Sequence, residues 1–305
     1  KDPGTARFAG VNGDAAMDLA ITATDALTGN DTGRLTNDAG DHYYTVVTLN
    51  DAQSKNYRFE GGETSKQFND TASVTKAKLT IESKGFEATY GDVETVQQGL
   101  KNAATITGLT NGDGAATMIV DGTSDALITD ENGKTRTNDV KQNGNDGYDI
   151  NASIPDNLTD TINKNYEITN NLGEVVLQKR TAYLSTDDIH TVYGDGDTIY
   201  NKLAENNLLH LTNLAFWDTE SNILKQIKAG TTVKGNVSAF KLNADGTIAT
   251  DDEGHRYTND ARAYSITTSW FNSSKNYNVV NKKVGKIYVD KADLTVYRKG
   301  IDTVF

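Results

Sequence analysis

The sequence contains no cysteine, and this absence excludes disulfide scaffolds, thiolate metal sites and cysteine nucleophiles. Only two prolines occur in 305 residues, so collagenous and proline-rich segments are excluded as well. The turns must instead come from the 27 glycines together with asparagine and aspartate. No apolar run approaches the roughly 20 residues of a membrane-spanning helix. We therefore expect no direct membrane insertion.

Positively charged residues are outnumbered, since the sequence has 30 lysines and arginines and 42 aspartates and glutamates. The formal net charge is −12. Such a surface repels phosphate backbones and anionic lipid headgroups, so we expect no nucleic-acid partner. Residues of the hydrophobic class make up 36% of the sequence, which favours several small cores over one large core.

The sequence repeats two tripeptides in a constant order. The first is Thr-Asn-Asp, at 36–38, 137–139 and 258–260. The second is Lys-Asn-Tyr, at 55–57, 164–166 and 275–277. We interpret Thr-Asn-Asp as an Asx-type turn, and the tyrosine of Lys-Asn-Tyr as a core or corner residue whose hydroxyl contacts backbone. Ordered repetition of this kind is typical of tandem modules.

The repeats predict where the modules begin and end. Residues 1–76 form a first repeat without its opening strand, 77–179 and 180–291 are complete repeats, and 292–305 are the opening strand of a further one. The sequence is thus expected to be part of a longer array.

Local patterns within each repeat mostly predict strands. Leu79–Ile81 and its two counterparts have the composition of strand cores, the first and last with clean alternation, and Asn132-Gly133 is typical of a tight hairpin. Two stretches have helical spacing, Glu94–Ala104 and Asp197–Thr212, with Asp197 as the expected N-cap. We predict a mainly β fold: tandem β-rich modules, sandwich-type (immunoglobulin-like) or β-grasp-like, in a linear array, each with at most one short helix.

The series Lys76–Ile81, Tyr90–Asp92, Gly108–Asp113 and a Lys-Asn-Tyr strand resembles the MBG/YDG-type repeats of bacterial surface adhesins. Filamentous-haemagglutinin-like, two-partner-secretion adhesins carry such repeats. The similarity covers essentially the whole sequence, and it is weakest in Asn201–Lys228. It implies an extracellular stalk or fibre segment on the bacterial cell surface. The implied partners are neighbouring repeats of the same long chain or identical subunits, with a host or biofilm glycan or protein as a further one.

No pattern in the sequence predicts an enzyme or a required cofactor. The histidines lack a ligand spacing such as His-Glu-x-x-His, and Gly-x-Ser-x-Gly and a Walker loop are absent. His255 aligns with Lys134, so this position changes its chemistry between repeats, as a solvated surface position does. The histidines are His42, His190, His210 and His255.

Acidic residues recur after the Tyr-Gly-Asp turns. They are Asp92, Glu94, Asp195 and Asp197. Clustered carboxylates of this kind suit Ca²⁺, and a cation there would stiffen the junction between repeats. The alternative is that these aspartates complete a turn or cap the following helix.

We therefore expect a non-enzymatic stalk segment that provides length and stiffness. One alternative is a glycan- or protein-binding module in the third repeat, with Trp217, Trp270 and Phe271 as the binding residues; burial of both tryptophans would remove its anchors. Another alternative is a head-to-tail fibre subunit, in which the 292–305 strand of one molecule completes the first repeat of the next.

Overall fold

A computed structural model describes residues 5–8, 17–27, 35–141, 146–205, 207–270, 274–298 and 300. The chain is mainly β, which confirms the predicted class. None of the described helices is long and apolar enough to cross a bilayer. The helices are α1 Asp51–Ser54, α2 Val93–Leu100, α3 Asp156–Asn165, α4 Gly196–Glu205 and α5 Glu220–Gln226, with a 3-10 helix at Val233–Ala239.

The strands are short and distributed over several small sheets. They are β1 Thr5–Phe8, β2 Met17–Thr24, β3 Gly40–Thr48, β4 Ser65–Val74, β5 Ala77–Ser83, β6 Phe86–Thr89, β7 Ala104–Thr107, β8 Thr117–Val120, β9 Gly122–Thr123, β10 Leu127–Thr129, β11 Thr135–Thr137, β12 Tyr148–Asp149, β13 Asn151–Ala152, β14 Tyr166–Asn171, β15 Glu174–Gln178, β16 Arg180–Thr186, β17 Ile189–Val192, β18 Leu209–Thr212, β19 Gly230–Thr231, β20 Ala263–Ser265, β21 Thr268–Ser269, β22 Tyr277–Lys283 and β23 Lys286–Asp290.

The chain packs into two compact units. Unit 1 comprises Lys1–Phe86, Glu94–Ala126 and Gly147–Val175, and unit 2 comprises Glu87–Val93, Leu127–Asp146 and Val176–Phe305. Each unit thus contains residues from more than one of the predicted repeats. The division into repeats 1–76, 77–179, 180–291 and 292–305 stays a prediction.

Unit 1 contains two four-stranded sheets, ordered β1-β2-β3-β4 and β14-β5-β7-β8. In the second of these sheets β5 is central: it runs parallel to β14, with Tyr166 opposite Ala77, and antiparallel to β7. Alternation along β5 turns Leu79 and Ile81 into a core with α3. The buried residues of that core are Leu79, Ile81, Ala104, Ile106, Leu109, Val120, Leu158, Ile162 and Tyr166.

Unit 2 repeats this arrangement around β16. Its three-stranded sheet is ordered β18-β16-β22, with β22 parallel to β16, Tyr277 opposite Arg180, and β18 antiparallel to β16. Ala182 and Leu184 are buried, as are their counterparts Leu79 and Ile81 in β5. The opening strand of a repeat therefore lies between a parallel and an antiparallel partner in both units.

The number of helices per repeat corrects the prediction of at most one. Residues 77–179 contain α2 and α3, and residues 180–291 contain α4 and α5. Helix α3 forms because Leu158 and Ile162 stand four residues apart on one face and are both buried. These two apolar residues are too few to give a helical pattern over a longer window.

The predicted limits of the helix after Tyr193–Asp195 are also wrong. Helix α4 begins at Gly196, and the carboxylate of Asp195 accepts hydrogen bonds from the Thr198 N–H (3.1 Å) and hydroxyl (2.7 Å). Asp195 therefore acts as the N-cap, not Asp197. The helix ends at Glu205, and Leu209 and Leu211 of the predicted helical stretch alternate along β18 instead.

One repeat position allows the cost of losing a strand side chain to be measured with an internal control. Leu79 and Leu294 occupy the same position after the aligned lysines 76 and 291, but Leu79 is 0% exposed and Leu294 is 88% exposed. We expect Leu79→Ala to lower the free energy of unfolding by about 2–5 kcal/mol, because it leaves a cavity in the core. In dilute solution Leu294→Ala should change it by less than about 0.5 kcal/mol. Urea unfolding measures both values, and equal effects would contradict the strand assignment.

Candidate functional site

The first half of the candidate site is the Thr-Asn-Asp tripeptide, which follows a hairpin arm. In unit 2, Leu127 of β10 lies opposite Thr137, the last residue of β11. The other two tripeptides begin in the same way, with Leu27 bridged to Thr36 and Phe240 bridged to Thr258. In each hairpin the Asn-Asp pair therefore follows directly after the last bridged residue of the second strand.

A second contact fixes the threonine. The N–H of Gly91 donates to the Thr137 hydroxyl (2.9 Å), and the N–H of Gly194 donates to the Thr258 hydroxyl (2.8 Å). Both glycines belong to Tyr-Gly-Asp turns and have positive φ angles, 87° and 100°. A non-glycine residue would be strained there. The Thr-Asn-Asp tripeptide therefore contacts the Tyr-Gly-Asp turn of the same repeat.

The second half of the site is Lys-Asn-Tyr, which marks the start of a strand. In unit 1, Lys164 and Asn165 close α3, and Tyr166 begins β14. The Tyr166 side chain is 3% exposed, and its hydroxyl donates to the Asp113 carboxylate (2.8 Å) and contacts the Thr110 backbone. This confirms the prediction of a buried tyrosine whose hydroxyl reaches the backbone.

The two tripeptides meet across successive sequence repeats. In unit 1, Lys164 Nζ lies 2.6 Å from Asp38 Oδ2, and Asn165 Nδ2 donates to Asp38 Oδ1 (2.9 Å). The amide oxygen of Asn165 accepts from the N–H of Ala39 (2.7 Å). One aspartate therefore accepts hydrogen bonds from both polar side chains of the next repeat, while the asparagine oxygen accepts one from the backbone directly after the aspartate.

Unit 2 contains the same contact between the next pair of repeats. Lys275 Nζ lies 3.0 Å from Asp139 Oδ2, Asn276 Nδ2 donates to Asp139 Oδ1 (2.7 Å), and the N–H of Val140 donates to Asn276 Oδ1 (2.9 Å). We call each such set, an aspartate with the Lys-Asn pair of the next repeat, the clamp.

A lysine at the start of each opening strand adds a further contact to the clamp. Lys76, directly before β5, donates to the carbonyl of Asn163 (2.8 Å), and Lys179, directly before β16, donates to the carbonyl of Ser274 (2.9 Å). Each accepting carbonyl belongs to the residue that precedes Lys-Asn-Tyr. The lysine and the aspartate therefore hold the same tripeptide from two positions of the preceding repeat.

The electrostatics of the clamp favour the ionised aspartate. Partial burial alone would raise the pKa of the Asp139 carboxyl, but the hydrogen bonds from Asn276 and Lys275 outweigh it and hold the pKa below its usual value. The ion pair is half exposed, so high salt screens it.

The tryptophans predicted to bind a ligand are both half-buried. The Trp217 indole N–H donates to the Tyr90 hydroxyl (2.8 Å), and Tyr90 and Tyr277 both donate to the carboxylate of Asp218 (3.1 and 2.5 Å). Burial raises the pKa of Tyr90 to about 12. Trp217 is therefore part of an internal hydrogen-bond network around Asp218.

Of the three predicted binding residues, Trp217 and Trp270 lie in the described part of the chain. No ring contact there joins Trp217 to Trp270. Phe271 lies outside the described residues. Phe216, which stacks edge-on against Trp217, is 69% exposed.

The four predicted Ca²⁺ ligands have separate structural roles where their contacts are known. They are Asp92, Glu94, Asp195 and Asp197. The first two flank the start of α2, and the glutamate is exposed. Asp195 caps α4, and Asp197 Oδ1 accepts from the Arg256 guanidinium (2.7 Å). Ca²⁺ binding by this set stays a prediction.

Asp251, Glu253 and His255 are a set of side chains in the described residues close enough to share a metal ion. They form a hairpin turn in which Asp251 Oδ1 accepts from the N–H groups of Glu253 (3.0 Å) and His255 (2.8 Å). Asp130 closes an equivalent turn by accepting from the N–H of Lys134 (2.9 Å). Turn formation therefore explains the cluster, and the alignment of His255 with Lys134 agrees with it.

Comparison with known proteins gives no family for the chain. No protein-family model matches it, and neither the curated proteins nor the solved structures include a significant match. The resemblance to MBG/YDG-type repeats therefore rests on the sequence motifs alone, and the clamp is interpreted from its own geometry.

From the geometry of the clamp we expect Asp139 to stabilise the fold and its counterpart in the third repeat, Asp260, to have no such effect. Asp139→Asn removes the charge that accepts from Lys275 and Asn276, so the free energy of unfolding should fall by about 1 kcal/mol at neutral pH. Asp260→Asn is the matched control, since none of the ion pairs between described residues includes Asp260. Denaturant unfolding of both variants in dilute solution measures the difference.

The pH dependence follows from the direction of the pKa shift. Because folding lowers the pKa of Asp139, its contribution is present above the unfolded value of about 3.9 and is lost as the pH falls through the folded value. The stability gap between wild type and Asp139→Asn should therefore narrow in acid. A gap that stays constant down to pH 2, or an equal effect of Asp260→Asn at neutral pH, would contradict the role assigned to Asp139.

Proposed function

We propose that the chain is a structural stalk segment of an extracellular bacterial surface adhesin, which spaces and stiffens the protein by clamping successive repeats together. The observation that supports this most is the recurrence of the clamp. Asp38 with Lys164 and Asn165, and Asp139 with Lys275 and Asn276, make the same three polar contacts with the same atoms. Repeat proteins that contact mainly their sequence neighbours are stabilised by such nearest-neighbour contacts.

The short connections between repeats support the same role. Strand β4 ends at Val74 and β5 begins at Ala77, while β15 ends at Gln178 and β16 begins at Arg180. Only one or two residues therefore separate the last strand of one repeat from the first strand of the next. A connection this short leaves few rotatable bonds, and the clamp adds a second attachment between the same repeats.

The charge and the motifs support a surface location. A net charge of −12 opposes side-by-side association of neighbouring chains. The extracellular setting and the bacterial adhesin class rest on the resemblance of the motifs to MBG/YDG-type repeats.

The alternative of a binding module in the third repeat is less favoured. Trp217 directs its indole N–H to Tyr90 and is half-buried, so its hydrogen-bonding group is already used. A glycan-binding aromatic platform normally presents an exposed ring face together with free polar groups.

A stalk segment should resist tension through its clamps. In single-molecule pulling from the two ends of the chain, we expect Asp139→Asn to lower the unfolding force of one transition, because an attachment between two repeats is weakened. Asp260→Asn should leave all transitions unchanged.

Location needs its own measurement. Antibodies raised against the chain should label intact bacteria that produce it. Labelling only after permeabilisation would overturn the extracellular assignment. In the pulling experiment, identical force profiles for wild type and Asp139→Asn would overturn the role of the clamp in resisting tension.

A further inference from the structure

The described residues contain an apolar segment with no partner strand. Residues 291–298 belong to no strand or helix and are exposed throughout. Within this segment Leu294 is 88% exposed and Val296 is 81% exposed. Exposed apolar side chains in alternation are typical of a strand that becomes buried when it pairs with another chain.

The same repeat positions are buried in both opening strands. Leu294 and Val296 follow Lys291 as Leu79 and Ile81 follow Lys76 in β5, and those two side chains are 0% and 3% exposed. Their counterparts in β16 are fully buried as well. In both cases one neighbour in the sheet is a parallel strand that begins with the tyrosine of Lys-Asn-Tyr. Residues 291–296 therefore have the pattern of an opening strand that lacks this neighbour.

The first Lys-Asn-Tyr has the complementary property. Residues 57–59 belong to no strand, although their counterparts begin β14 and β22. Tyr57 and Phe59 pack at the edge of a small core, and Lys55 and Asn56 are exposed. The buried residues of that core are Leu19, Val47 and Leu49. An added strand beside residues 57–59 would enlarge this core with two apolar side chains.

The third Thr-Asn-Asp has the geometry of a clamp without its lysine. The N–H of Asp260 donates to Asn259 Oδ1 (3.0 Å), as the N–H of Asp139 donates to Asn138 Oδ1 (2.8 Å). The Asp260 side chain is exposed, and no ion pair between described residues includes it. The turn that presents the carboxylate is therefore formed in the same way, while the Lys-Asn pair that would bind the carboxylate is missing.

We propose that these surfaces bind each other between two molecules of this chain. Residues 291–296 of one molecule add a parallel strand beside residues 57–59 of a second, and Asp260 of the first forms a clamp with Lys55 and Asn56 of the second. Lys291 donates to the carbonyl of Ser54, as Lys76 and Lys179 donate to the carbonyls before their own Lys-Asn-Tyr.

The register follows from the observed strand pairs. Because Tyr166 lies opposite Ala77 and Glu167 opposite Lys78, the corresponding partners are Tyr57 with Ala292 and Arg58 with Asp293. Phe59 then lies opposite Leu294. Arg58 and Asp293 carry opposite charges, as Glu167 and Lys78 do, so the proposed register also pairs the charges favourably.

Association of this kind is head-to-tail. The donor surface, residues 258–260 and 291–296, and the receptor surface, residues 54–59, are different parts of the chain, so a bound pair still presents one free surface of each kind. Such a heterologous contact extends into linear oligomers unless it closes into a ring. This inference goes beyond the stalk role, since a stalk segment can function without self-association.

Sedimentation of the full chain over a range of concentrations tests the proposal. The average mass should rise above 33.0 kDa as concentration increases. The double variant Leu294→Asp/Val296→Asp should weaken association at least tenfold, and Asp260→Lys should weaken it as well. Lys55→Asp combined with Asp260→Lys should restore it. Ile119→Asp is the control, because Ile119 is also 63% exposed but lies outside both surfaces.

Register is tested by cross-linking, which the absence of native cysteine makes specific. Arg58→Cys/Asp293→Cys should form disulfide-linked oligomers under mild oxidation. Arg58→Cys/Lys291→Cys, shifted by two residues, should form markedly fewer. Circular dichroism confirms that each variant is folded.

Two results would overturn the proposal. The first is a chain that stays monomeric at a concentration of about 1 mM, because a dissociation constant well above that value would leave no specific association to explain. The second is association that the Leu294/Val296 variant and the Ile119 control change equally. Neither result bears on the stability and force predictions for Asp139, so failure of the proposal is distinguishable from failure of the stalk role.

Discussion

The rest of the structure depends on one interaction, in which a carboxylate from one repeat receives the lysine and the asparagine of the next. An exposed ion pair alone contributes little, because solvent screens it. In the clamp the asparagine adds two hydrogen bonds, one to the charged Asp139 and one from the N–H of Val140. Hydrogen bonds to a charged group are the stronger kind, and the bond from Val140 also holds the backbone directly after the aspartate.

The other recurring features place the two halves of the clamp. The Leu127–Thr137 pair ends the hairpin where Asn-Asp must follow, and the N–H of Gly91 holds that threonine. On the other side the buried Tyr277 begins β22, and Lys275 and Asn276 directly before it contact Asp139. Small cores and short strands are sufficient for such repeats, since part of their stability comes from the neighbouring repeat.

Much of the fold could be predicted from the sequence because its determinants are local. Alternation marked Leu79–Ile81 as a strand, and Asn132-Gly133 marked the hairpin turn that Asp130 closes. The contact between Thr-Asn-Asp and Lys-Asn-Tyr could not be predicted, because more than 100 residues separate Asp38 from Lys164 and each tripeptide by itself is typical of a turn. Helix α3 was missed for a similar reason, since two buried residues carry it.

A double-mutant cycle on Asp139 and Asn276 tests the central claim most directly. Alanine variants of each residue and of both, compared by their free energies of unfolding, isolate the coupling between the two side chains from the cost of each change. The clamp predicts a favourable coupling of at least about 0.5 kcal/mol, and no measurable coupling in the corresponding cycle of Asp260 with Asn276. Additive effects for Asp139 and Asn276 would contradict it.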